Sequence, residues 1–272
     1  MINLYGAGLI SPRSVVQFHF PLPQIEMNNI NKTNFFYSCF LILIIFSLIQ
    51  GFNCKYNEYN ICKETFENYW SENGFIENLQ AIFVLIAIAL LIKLKFKLDK
   101  LNFVHLFIII KIFALIYYLG EEISWGQHFF KWDSPKIFQE INNQKETNLH
   151  NISNLFDQLP RALVYFWCAF SVILINLNIF KNKISKNFYL IISPNKKLIY
   201  ISLLLLILSI PDIIVDALNL HPGHVDEFGK DIPDSFFYDF ITFNYVRLSE
   251  LHELIFSFYF LCYSIFIYRI KF

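Results

Sequence analysis

The chain of 272 residues is 56% hydrophobic and 19% aromatic but only 16% charged, and its mean hydropathy is +0.44. That composition excludes an ordinary water-soluble domain and points to a bilayer. A formal net charge of +0 offers no basic stripe for a phosphate backbone, so nucleic acid is not an expected partner.

Residues 1–34 contain Pro12, Pro21 and Pro23 and no sustained helical pattern. They lack the basic, apolar and small-residue order of a cleavable signal peptide. The expectation is a disordered cytoplasmic leader, or a start at Met27, ahead of one transmembrane domain over 35–272. A spanning helix needs about 20 apolar residues, and six segments qualify, at 35–52, 76–94, 103–120, 161–180, 198–217 and 249–268. The predicted fold class is therefore an all-α, polytopic helical bundle.

The connector after the second segment carries Lys93, Lys95, Lys97 and Lys100, and the one after the fourth carries Lys181, Lys183, Lys186, Lys196 and Lys197. Both read as cytoplasmic under the positive-inside rule. This predicts a multi-pass protein of the cell (inner) membrane with both termini inside. Cys54 and Cys62 fall in the first outer connector, where a disulfide and two free thiols are both open. In the outer connector 121–160, Asp133-Ser134-Pro135 makes a helix start. The apolar spacing of Phe138, Ile141, Leu149, Ile152, Leu155, Phe156 and Leu159 predicts one or two helices along the interface.

Given that topology, the unusual polar residues gather at the outer ends. Glu77 and Gln80 open the second segment, Glu121 and Glu122 close the third, Asp212 and Asp216 lie in the last turns of the fifth, and Glu250, His252 and Glu253 open the sixth. At 1.5 Å per residue, Asp212 is about 21 Å from the start near Leu198, within the hydrocarbon layer. Asp212 and Asp216, Glu250 and Glu253, and Glu146 and His150 have spacings that place each pair on one helix face. Such carboxylates need protons, a cation or an arginine, and Arg247, three residues before Glu250, is the arginine expected to help.

Mixed Glu, Asp and His ligands suit Zn, Fe or Mn. A divalent metal would draw on Glu122, His150 and Glu253, with Glu146, Asp212 and Glu250 as further candidates. Glu121 or Asp216 would act as general base, and Arg247 or Gln127 would steady an anionic group. The chemistry this predicts is a metal-dependent hydrolase or transferase acting on a lipid or lipid-linked substrate, since acyl chains and headgroups meet at that depth. A proton- or cation-coupled transporter using Asp212, Asp216 and Glu250, and a non-catalytic scaffold, are the alternatives. Ser124 and His128, one turn apart, could form a nucleophile pair, although a serine near a helix end more often bonds its own backbone. The segment 221–231, with His221, His224, Asp226 and Glu227, has the composition of a turn as well as that of a small metal cluster.

The strings GEEISWGQ (Gly120 to Gln127) and ETNLHN (Glu146 to Asn151) resemble motifs of a family of bacterial multi-span membrane proteins. That resemblance brings no established activity and no catalytic residues with it. A looser similarity exists to membrane zinc amidases of the alkaline ceramidase and adiponectin receptor type, which imply a site near one membrane face. Those use a histidine-rich centre in seven spans, whereas this sequence predicts six spans and a carboxylate-rich centre.

Overall fold

A computed structural model describes residues 27–56, 69–70, 74–98, 103–142, 145–149, 152–176, 186–192, 195–211, 214 and 248–270. The leader 1–26, the pairing of Cys54 with Cys62 and the segment 221–231 lie outside them. Among the described residues every regular element is helical. The chain divides into two compact units, Met1–Leu43 and Ile44–Phe272. The described part of the first is the beginning of α1 (Met27–Tyr56). The second holds the rest of α1 and all the later helices.

Three of the expected segments are helices long and apolar enough to cross a membrane: α2 (Phe75–Lys97), α3 (Phe103–Glu122) and, at the other end of the chain, the helix Leu248–Tyr268. Their 23, 20 and 21 residues correspond to about 30–35 Å, matching a hydrocarbon core of about 30 Å. The segments expected at 35–52, 161–180 and 198–217 fall on helices whose described apolar stretches are shorter, namely Phe36–Gly51, Leu159–Phe170 and Leu198–Leu208.

After α3 the chain makes a 3₁₀ turn (Ser124–Gly126), then the short α4 (Gln127–Phe130) and α5 (Lys136–Ile141). The remaining helices are α6 (Asn154–Asn176), α7 (Lys186–Ile192), α8 (Leu198–Leu208) and α9 (Leu248–Tyr268). The helix expected after Pro135 is α5, but Ser134 does not cap it. Its Oγ instead donates to the Lys145 carbonyl at 2.6 Å. The second interfacial helix is not a separate element, because α6 already begins at Asn154 and runs through Pro160 into the apolar stretch.

The core is built around α9, which packs against α2 and α8, while α2 also packs on α3 and α6 on α8. Along its spanning window α9 is 89% buried, against 39% for α2 and 28% for α3. A helix that is apolar on all sides is suited to be enclosed in this way. On α3, by contrast, Leu106, Ile110 and Phe113 form an exposed apolar stripe at spacings of four and three, the pattern of a face turned to lipid. The five-residue connection from Leu98 to Asn102 makes α2 and α3 antiparallel neighbours, which brings the start of α2 beside the end of α3.

This arrangement predicts a contrast between two phenylalanines. Phe258 is 0% exposed and its ring centroid lies 5.7 Å from that of Phe83, whereas Phe113 is 67% exposed. Phe258→Ala should cost about 3 kcal/mol of packing and lower the melting temperature of detergent-purified protein by several degrees. Phe113→Ala should leave it nearly unchanged, and equal losses would contradict the assignment of α9 as the core helix.

Candidate functional site

The adjacent carboxylates Glu121 and Glu122 enter two different polar systems, as residues turned about 100° apart on a helix must. Glu121 turns to the outer connector. Its Oε1 accepts from the Trp125 indole at 3.0 Å and its Oε2 from the Leu149 backbone N–H at 2.6 Å. Beside it Ser124 donates to Glu146 Oε2 at 2.6 Å, and Asn148 donates to the same oxygen at 2.7 Å and to Ser124 Oγ at 3.0 Å. Gln127 Oε1 accepts from the Thr147 N–H at 2.8 Å and its hydroxyl at 2.9 Å. Asn142 closes the group by donating to the Asn148 carbonyl at 2.9 Å. Glu121, Ser124, Asn142, Glu146 and Asn148 are all buried.

These bonds join the strings GEEISWGQ and ETNLHN into one knot. The backbone bends sharply to make it, with φ of 45° at Ser124, 53° at Trp125 and 85° at Gly126. Left-handed conformations cost a residue with a Cβ on the order of 1–3 kcal/mol, so the knot's hydrogen bonds hold a strained turn. Gly126 supplies the third left-handed residue without that cost. Gly120 is needed for a different reason: a Cβ there would lie 2.8 Å from the Trp125 ring.

Glu122 faces the other way, into the bundle. Its carboxyl is within electrostatic range of Glu253, Glu250, Arg161 and Glu77, so α2, α3, α6 and α9 all contribute to one chamber. Arg161 Nη2 meets Glu253 Oε1 at 2.6 Å. The amide of Gln80 donates to the Glu250 carbonyl at 2.9 Å, while its buried Oε1 has no hydrogen-bond partner among the described residues. One turn deeper, the Tyr118 hydroxyl donates to the Glu253 carbonyl at 3.3 Å and lies 3.4 Å from Ser257 Oγ. The Phe260 ring stands beside Tyr118, with centroids 6.0 Å apart.

Of the expected site residues, Glu122, Glu250 and Glu253 come together in the chamber, while Glu121, Gln127 and Glu146 belong to the knot. Gln127 therefore holds Thr147 rather than an anionic group. His150, Asp212, Asp216 and Arg247 lie outside the described residues, as does the side chain of His128. His252 Nε2 lies 3.0 Å from the Leu208 carbonyl at the end of α8. Ser124, expected to bond its own backbone, bonds Glu146 instead.

The arginine that reaches the acids is Arg161, a residue absent from the sequence-based expectation. Pro160 reads as a boundary, with the apolar segment beginning just after it. Because α6 begins at Asn154, Arg161 sits about 10 Å along a helix already formed. Among the described residues no three His, Cys, Asp or Glu side chains gather as a metal ion would require. No family model, curated protein or solved structure matches the chain.

The knot predicts strong coupling between its members. Ser124→Ala and Glu146→Gln should each destabilise the protein, and the double variant should fall short of their sum by about 1–2 kcal/mol in a double-mutant cycle followed by thermal unfolding. Additive losses would show that the bond between them contributes nothing. Gly120→Ala should lower stability more than either single change, because the indole cannot keep its place over an added methyl.

Proposed function

We propose that the chain is a multi-pass protein of the cell membrane, with both termini cytoplasmic, whose outer-face chamber carries out acid–base chemistry on a lipid or lipid-linked substrate, as a hydrolase or transferase. The observation carrying this reading is the unlike setting of two carboxyls in one chamber. Glu253 is paired directly with Arg161 at 2.6 Å, whereas around Glu122 the same Arg161 is outweighed by Glu253, Glu250 and Glu77. Carboxyls held in unlike surroundings are what separates a proton donor from a proton acceptor in one site. The chamber's position at the helix ends suits a substrate with a headgroup and acyl chains. Trp125, Phe129, Phe130 and Trp132, exposed along the outer turn, suit the adjoining interface.

A divalent metal such as Zn, Fe or Mn would need ligands from outside the described residues, His150, Asp212 or Asp216, because Glu122, Glu250 and Glu253 do not by themselves gather as a metal requires. When bound it would acidify a water and polarise a substrate oxygen. The second reading is proton- or cation-coupled transport. It is favoured by the unpartnered Gln80 Oε1, an acceptor in an acid-rich chamber, and by the polar step inward through Tyr118 and Ser257. Transport would in addition need a passage to the inner side.

Both readings require the chamber to take up a positively charged species. Purified protein should therefore gain thermal stability with micromolar Zn²⁺ or Mn²⁺, by about 2.7 kcal/mol at a hundredfold excess over Kd, and Glu122→Gln and Glu253→Gln should abolish the gain. A gain with Na⁺ or with pH alone, lost in the same variants, would favour transport over metal-assisted hydrolysis. No stabilisation by any cation or by pH would overturn both.

A further inference from the structure

A second polar group lies deeper in the bundle, apart from the outer chamber. Lys111 stands in the middle of the apolar run of α3, eight residues after Phe103 and so about 12 Å along the helix. Ionisable side chains at that depth are costly and mark functional sites when they persist. Its ammonium lies 4.1 Å from the Trp167 ring centroid, 4.6 Å from Tyr263, 5.7 Å from Phe260 and 5.8 Å from Phe107. The rings hold the charge by cation–π attraction but accept none of its N–H bonds in the plane where an oxygen would.

A second donor faces the same need. The Trp167 indole N–H is buried and has no acceptor among the described residues. An unmade hydrogen bond in an apolar layer is costly for a neutral group and more so for a charged one. The indole N–H, without an acceptor among the described residues, and the Lys111 ammonium share one aromatic wall. The neighbouring Cys168 thiol is within electrostatic range but is a poor acceptor. Among the described residues no carboxylate acts on Lys111, and at this depth an amphiphile can deliver an anionic oxygen.

We propose that Lys111 and Trp167, on α3 and α6, form a binding site for the anionic head of a single amphiphile. The head is a fatty-acid carboxylate or a phospholipid phosphate, with its chains lying along the exposed apolar face of α6 beside Trp167, formed by Leu159, Leu163 and Phe166. Lys111 leans toward the α3 N-terminus, as helical side chains do, which is the basic, cytoplasmic side by the positive-inside reading. The amphiphile would thus come from the inner leaflet, independent of the chemistry at the outer chamber.

Native mass spectrometry of the full chain in dodecyl maltoside, with added oleate, dioleoylphosphatidylglycerol or dioleoylphosphatidylcholine, tests this. The wild type should hold one anionic molecule per chain about tenfold more tightly than phosphatidylcholine. Preference for oleate would identify the fatty acid as the source, and preference for phosphatidylglycerol the phospholipid. Lys111→Met should lose the discrimination, Lys111→Arg should keep it, and Trp167→Phe, which retains a ring but removes the N–H, should weaken it several-fold. If Lys111→Met does not fold, the Arg and Phe variants still decide. Equal binding of all three lipids by the wild type would overturn the proposal. So would discrimination that survives Lys111→Met, or, in Trp167→Phe, discrimination equal to that of the wild type.

Discussion

The contact on which the outer end of the bundle depends is the ion pair between Arg161 of α6 and Glu253 of α9, at 2.6 Å. Carboxylates at membrane depth are tolerated only when something answers their charge, and Glu122, Glu250 and Glu253 converge where α2, α3 and α9 meet. Arg161 ties α6 to that point. Its side chain is 35% exposed and that of Glu253 11%, so the pair is partly solvated and its attraction is correspondingly reduced. Removing either partner takes away that pairing at the point where the acids of α2, α3 and α9 converge.

The two polar systems divide the work. The knot of Glu121, Ser124, Glu146 and Asn148 folds the outer connector back on the end of α3 and sets a strained turn in place. That anchoring fixes the last turn of α3, and with it the direction in which Glu122 enters the bundle. Such rigid support is what a constellation of side chains from separate helices requires to keep its geometry. The motif residues thus shape the end of α3, and Glu122 joins the acids of the bundle behind it.

Much of this was legible in the residues. The hydropathy of Phe75–Lys97, Phe103–Glu122 and Leu248–Tyr268 marks three membrane-length helices, and the basic connectors place Glu77, Glu122, Glu250 and Glu253 at one end. The rest was hidden for particular physical reasons. The roles of Glu121 and Glu122 differ because adjacent helical residues diverge by about 100°, and only the position of the outer connector shows which of them faces it. Pro160 reads as a helix boundary, yet the helix runs through it and carries Arg161 inward to the acids. Lys111 was hidden by its surroundings, since a single lysine within IIIKIF barely lowers the hydropathy of the segment, and only the packed rings around it reveal that it is enclosed.

The convergence of these acids with Arg161 is tested most directly by exchanging the charges. Arg161→Glu and Glu253→Arg should each lower the thermal stability of the purified protein, and the double exchange should restore most of the loss, because the pair is re-formed in reverse across α6 and α9. A double variant as unstable as the two single losses added together would mean that the two side chains do not meet, and the chamber would not exist.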